Sequence, residues 1–188
     1  MPPGTRGSIE LICGCMFSGK SERLIARAES AQREGRRVAG FKHASDDRYD
    51  VGQIASHSGR TCPARPVHHP EEIEGLVGDA ELVLIDEAQF FGPEIVEVCR
   101  RLAADGRTVV LAGLDRDSWG EPFGPMPALA EIADHVVRTQ GVCSQCGRPA
   151  DYTQRISPVG GINMVGGPGA YEARCREHFQ APPAALRR

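Results

Sequence analysis

The stretch Gly14-Cys15-Met16-Phe17-Ser18-Gly19-Lys20-Ser21 satisfies the phosphate-cradling pattern G-x-x-x-x-G-K-[ST] at every specified position. Its flanks restrict the fold. Ile9 to Cys13 before it reads as a short apolar strand. Glu22 to Glu29 after it is rich in helix formers, with Leu24, Ile25 and Ala28 on one face. A strand, a glycine loop and a helix in succession bring backbone N–H groups and a helix N-terminus to bear on one anion. In that geometry Lys20 adds a point charge at the β- and γ-phosphates, and Ser21 offers a hydroxyl to Mg²⁺.

The remaining apolar runs continue the alternation. Val38 to Lys42 reads as a second strand. Leu82 to Ile85 is a continuous apolar run, as expected for a strand covered on both faces, and it delivers Asp86-Glu87-Ala88-Gln89 at its end. Thr108 to Gly113 and His135 to Thr139 read as further strands. Pro70 to Leu76, Pro93 to Ala104 and Ala128 to Ala133 read as helices. The polar stretch from His43 to Arg60 has weak periodicity and reads as a long loop or a short helix. Strands alternating with helices predict an α/β fold, a doubly wound and mainly parallel sheet. Such sheets bind ligands outside the carboxyl ends of their strands, where the glycine loop and Asp86-Glu87 both lie.

A chain of 188 residues holds one full core and a small appendage. The expected division is a phosphate-binding α/β domain over residues 1–140, a metal-binding unit over 141–179, and a disordered tail over 180–188. Net charge is −3, which gives no electrostatic footprint for nucleic acid, and no apolar run is long enough to span a bilayer. The first eight residues carry no apolar core of the signal-peptide kind, so a cytoplasmic, reducing compartment is expected. The seven cysteines then read as metal ligands, packing or thiols before disulfides. Cys143-x₂-Cys146 and Cys175-x₂-His178 have the spacing of two zinc knuckles. Four protein ligands leave no open position, so the Zn²⁺ they predict is structural. Between the knuckles, Pro158 to Tyr171 carries five glycines, the composition of a loop that can close over a small ligand with its main chain.

Asp86 ends an apolar strand and is the candidate Mg²⁺ carboxylate beside Ser21. Glu87, one residue on, points the other way if the strand geometry persists, and could accept a proton from an attacking hydroxyl. In an NTPase the same residue would orient water, and these residues alone do not choose between the two reactions.

Taken together, these motifs resemble the type II (human-cytosolic-like) thymidine kinases from about Gly7 to Phe179. The carriers are residues 14–21, Asp46-Asp47-Arg48-Tyr49, Ser56-His57, Asp86-Glu87-Ala88-Gln89-Phe90-Phe91, Gly113-Leu114-Asp115, Glu121 to Met126, the Cys143/Cys146 pair and Tyr171 to His178. The resemblance implies transfer of the ATP γ-phosphoryl group to the 5′-hydroxyl of thymidine, and of deoxyuridine, in pyrimidine salvage. Glu87 would act as base, with Arg48 and Lys20 at the transferred phosphate. ATP would be held by Gly14, Cys15, Met16, Phe17, Ser18, Gly19, Lys20 and Ser21 and by a second segment, Asp86, Glu87, Ala88 and Gln89. On the nucleoside side the resemblance implies Asp46, Phe90, Phe123, Tyr171 and a lasso containing Met164, Val165, Gly166 and Gly167. It also implies a homotetramer and feedback inhibition by dTTP.

Three positions depart from the family pattern. Ser118 stands where relatives usually carry a pocket-lining Phe, with Trp119 next to it as the candidate replacement. Gly169 stands where an acid is common, and Asp47 where Asn or Thr is. These bear on nucleoside selectivity more than on phosphoryl transfer. The competing classes are an ATPase whose zinc unit binds a macromolecule, and a dTTP sensor without turnover.

Overall fold

A computed structural model describes residues 6–45, 52–158 and 169–186. In chain order the elements are β1 (Ile9–Gly14), α1 (Lys20–Arg33), β2 (Val38–His43), β3 (Gln53–Ala55), β4 (Thr61–Pro63), β5 (Arg65–Val67), α2 (Glu71–Leu76) and β6 (Leu82–Asp86). There follow α3 (Ile95–Ala104), β7 (Thr108–Gly113), α4 (Met126–Ile132), β8 (His135–Thr139), β9 (Gly141–Val142), β10 (Pro149–Ala150), β11 (Tyr152–Arg155) and β12 (Tyr171–Arg174). Among the described residues, six strands form one sheet in the order β5-β2-β6-β7-β1-β8, and every pairing in it is parallel.

Strand alternation sorts the apolar residues into two layers. Leu82 and Leu84 of β6, with Val110 and Ala112 of β7, face α1 and pack on Leu24, Ile25, Ala28 and Ala31. Val83 and Ile85, with Val109 and Leu111, face the other way onto Ile95, Val98, Cys99 and Leu102 of α3 and Met126 and Leu129 of α4. All five residues of β6 are buried, which explains the unbroken apolar run that announces it. Each large aliphatic side chain removed from water in this way contributes about 1.5–3 kcal/mol. No helix among the described residues is long and apolar enough to cross a membrane.

The stretch expected as a loop or short helix from His43 to Arg60 instead contains β3, which pairs antiparallel with β4. Ile54 and Cys62 face each other across this hairpin and plug the α1 side of the core. Strands of three residues with one buried position each leave almost no periodic signal. β5 escapes a sequence reading for a related reason. It is an edge strand containing Pro66, a residue that edges tolerate and central strands do not. Residues 180–186, expected as disordered, instead end in a 3₁₀ turn at Ala184–Leu186. Gln180 N–H donates to Gln154 Oε1 at 2.8 Å, and Trp119 Nε1 donates to the Pro183 carbonyl at 3.3 Å.

The turn from β1 into the glycine loop depends on Gly14. Its φ is 151°, and a Cβ there would lie 2.2 Å from the Thr139 carbonyl oxygen. Replacing Gly14 by Ala is expected to cost about 3 kcal/mol, combining backbone strain with the shift forced on β8. In a chain of this size that lowers Tm by roughly 6–12 °C, readable by calorimetry.

Candidate active site

The loop leaves β1 and enters α1 through two left-handed residues, Phe17 (φ 61°) and Gly19 (φ 79°). Gly19 holds the N-cap position and has no side chain to satisfy the first-turn N–H groups of α1, which suits them to an anion. Lys20 Nζ donates to the Cys15 carbonyl at 2.6 Å, so the lysine is folded back over its own loop. Burial lowers the Lys20 pKa, and Glu87 is the foremost group raising it again, ahead of Cys15 and Asp86.

Ser21 Oγ donates to Asp86 Oδ2 at 3.3 Å. The two oxygens that would hold Mg²⁺ thus meet from α1 and β6, 65 residues apart in sequence. A hydroxyl and a carboxylate at contact distance suit a hard cation that retains its remaining waters. β6 ends at Asp86, and Glu87 does not continue it. Glu87 adopts a left-handed φ of 55°, so the alternation expected from the sequence stops there. Such a conformation in a non-glycine residue costs about 1 kcal/mol and persists only where neighbours fix it. Here Glu87 N–H donates to Asp86 Oδ1 at 3.0 Å, and the Glu87 carbonyl accepts from Phe90 N–H at 3.1 Å. Gln89 fixes the carboxylate itself. Its Oε1 accepts from Leu114 N–H at 3.0 Å, which directs its NH₂ at Glu87 Oε2, 2.5 Å away.

Met16 to Ser21, Asp86 and Glu87 line one cavity of about 420 Å³. Gly14 and Cys15 support the loop from behind, Ala88 sits in the core, and Gln89 backs Glu87. The wall also includes residues to which the sequence reading assigned no site role: Glu22, Leu114 and the β3–β4 hairpin from Ala55 to Ser58, although Leu114 and Ser56-His57 lie within motifs that carry the family resemblance. The hairpin tip is held to α1 by Ser58 and Arg60, both donating to Glu22, and to the glycine loop by the Phe17 and His57 rings, 5.0 Å apart. Those hydrogen bonds hold the Glu22 carboxyl down to about 2. The readable signal was the Ser-Gly turn at 58–59, where Gly59 takes a φ of 83°.

The residues expected to meet the nucleoside are distributed beyond the cavity. Phe90 and Phe123 meet edge to face at 5.7 Å. The Tyr171 ring lies under the Arg155 guanidinium at 5.5 Å. Trp119 is buried and turned to the C-terminal segment through Pro183. None of these four lines the cavity among the described residues. Asp46, Arg48, Met164, Val165, Gly166 and Gly167 lie outside the described residues.

Cys143, Cys146, Cys175 and His178 converge, with ligand atoms all within 4.8 Å of one another. A tetrahedral Zn²⁺ with bonds of about 2.3 Å to sulfur and 2.05 Å to nitrogen sets ligand sulfurs about 3.8 Å apart, and sulfur and nitrogen about 3.6 Å apart. The observed separations are 3.8 Å for Cys146–Cys175, and 3.7 and 3.3 Å from His178 Nδ1 to Cys143 and Cys175. The cluster fits a closed structural zinc site. Arg148 Nε donates to Cys146 Sγ at 3.4 Å, favouring the thiolate.

A family model described as thymidine kinase matches residues 7–179. Three similar proteins bear the name thymidine kinase. The one from Rhodothermus sp. is 43% identical over 95% of this chain and 84% of its own length. That from Coprothermobacter proteolyticus is 44% identical over 96% of this chain and 94% of its own. That from Bdellovibrio bacteriovorus is 44% identical over 94% of this chain and 87% of its own. With this coverage, and with the glycine loop, the acidic pair and the Cys/His cluster all in place, the chain belongs to the thymidine kinase family.

Proposed function

We propose that this protein transfers the γ-phosphoryl group of ATP to the 5′-hydroxyl of thymidine, giving dTMP and ADP, with Glu87 as the base. The observation that carries this reading is the meeting of Lys20, Ser21, Asp86 and Glu87 in one cavity under the glycine loop. Phosphoryl transfer needs in-line positioning and neutralisation of charge more than covalent help. The loop and α1 offer N–H groups to the phosphates, and Lys20 can leave the Cys15 carbonyl for a phosphate oxygen of far greater charge. Mg²⁺, when held by Ser21 and Asp86, supplies further neutralisation. Glu87, oriented by Gln89, takes the proton of the attacking hydroxyl.

On the nucleoside side, Asp46, Phe90, Phe123, Tyr171 and the lasso residues Met164, Val165, Gly166 and Gly167 form the binding surface in this reading, with Arg48 at the transferred phosphate and Trp119 left out because its indole N–H is turned to the Pro183 carbonyl. These assignments rest on the family resemblance. So do the homotetramer, the cytoplasmic location and inhibition by dTTP, which joins the product's base to a triphosphate. The test is ADP release measured with thymidine, deoxyuridine, deoxycytidine or no nucleoside. Turnover is expected to require nucleoside and to be fastest with thymidine. ADP release independent of nucleoside would instead favour an ATPase.

A further inference from the structure

The Cys/His unit does not stand apart from the glycine loop. Cys15 and Phe17 of the loop share one small apolar cluster with Cys143, Ala150, Ala173 and Cys175. Cys15 Sγ donates to the Ala150 carbonyl at 3.2 Å, and Met16 N–H donates to Thr153 Oγ1 at 3.0 Å. Both partners lie in the β9–β12 unit, more than 130 residues along the chain, and Thr153 is only 3% exposed. Gly141 permits the approach, since a Cβ there would come within 3.2 Å of Cys15 Sγ and 3.4 Å of the Met16 carbonyl oxygen. The next residue, Phe17, is the loop's one non-glycine with left-handed φ among the described residues. Strain of that kind survives only where surrounding contacts over-determine it. One side of those contacts comes from the main domain, where Ser18 Oγ lies 2.7 Å from both the Cys15 carbonyl oxygen and Thr139 Oγ1. The other side comes from the C-terminal unit.

We propose that the C-terminal unit is a positioning element for the phosphate loop, with Thr153 as the positioning residue that fixes Met16 and Ala150 as the seat of Cys15. This gives the unit a role at the ATP side of the site, separate from any role toward the nucleoside. The proposal rests on the reading of residues 14–21 as the ATP-phosphate site.

The experiment is ATP affinity measured by calorimetry without nucleoside, on the zinc-loaded full chain and its variants. Thr153→Val keeps the shape and removes the acceptor, leaving the buried Met16 N–H unpaired. ATP Kd is expected to rise about tenfold, with zinc content unchanged, while Thr153→Ser restores affinity to within about twofold. Cys15→Ala is expected to weaken ATP in the same direction, and serves as the second readout if Thr153→Val fails to fold. ATP binding by both Thr153→Val and Cys15→Ala at the wild-type Kd would overturn the proposal. Failure of the wild-type protein to bind ATP would overturn the underlying reading instead.

Discussion

Replacing Glu87 by Gln is expected to lower kcat by about a hundredfold or more while leaving ATP affinity within about twofold of wild type. Gln is isosteric and retains an oxygen that can accept from Gln89, so the left-handed turn after β6 keeps its hydrogen bonds. What disappears is the capacity to take up a proton. A hundredfold loss corresponds to about 2.7 kcal/mol of transition-state stabilisation. Because that interaction develops only as the hydroxyl attacks, the loss falls on kcat with KM nearly unchanged. A second route must be separated from this one. Glu87 is also the foremost group opposing the effect of burial on Lys20. If Glu87 acted chiefly through Lys20, its removal would weaken ATP binding together with turnover. A fall in kcat without a fall in ATP affinity therefore assigns the proton-accepting role. Turnover within about threefold of wild type would remove it.

The parts of this site that were legible in the sequence were those announced by strong local signals. Residues 14–21 match a spaced motif, and Leu82–Ile85 is an apolar run that only a doubly covered strand needs. Together they place Ser21 and Asp86 at one sheet edge before any coordinate is known. The four metal ligands were legible for the same reason, since knuckle spacing is local and the two halves need only meet. What escaped was set by tertiary context. The strand alternation that would carry Glu87 to the opposite face stops at Asp86, because the side chains of Asp86 and Gln89 and a 3₁₀ turn hold Glu87 at a φ of 55°. The β3–β4 hairpin is too short for periodicity to register, yet its tip forms a wall of the cavity. Trp119 looked like a substitute for the aromatic ring missing at Ser118. The structure instead turns it to Pro183, an acceptor in a tail whose composition suggested disorder. The link from Thr153 to Met16 spans 137 residues and leaves no trace in either local sequence.

Loss of the metal is expected to unfold the β9–β12 unit while the parallel sheet survives. The apolar cluster of this unit is made of small residues, Cys15, Cys143, Ala150, Ala173 and Cys175, with Phe17 against it. Its paired strands run to two and four residues. Burying such small side chains contributes far less than the roughly 10–16 kcal/mol measured for structural Zn²⁺ in comparable small units. Cys146→Ser is the cleanest probe. Cys146 is the exposed member of the four, so the substitution opens no buried cavity and removes, besides metal ligation, only the hydrogen bond from exposed Arg148 among the side-chain hydrogen bonds described outside the cluster. Bound zinc is expected to fall from about one equivalent per chain to near zero. Hydrogen exchange is expected to lose protection across β9–β12 but not across β6 and β7, whose layers are closed by α1 and α3. If, as proposed, Tyr171 at the start of β12 and the stretch that links β11 to β12 bind the nucleoside, its KM is expected to rise by about tenfold or more. A Cys146→Ser protein that keeps full protection in β9–β12 without bound zinc would show that the strand pairing and the contacts to Cys15 and Met16 hold the unit by themselves.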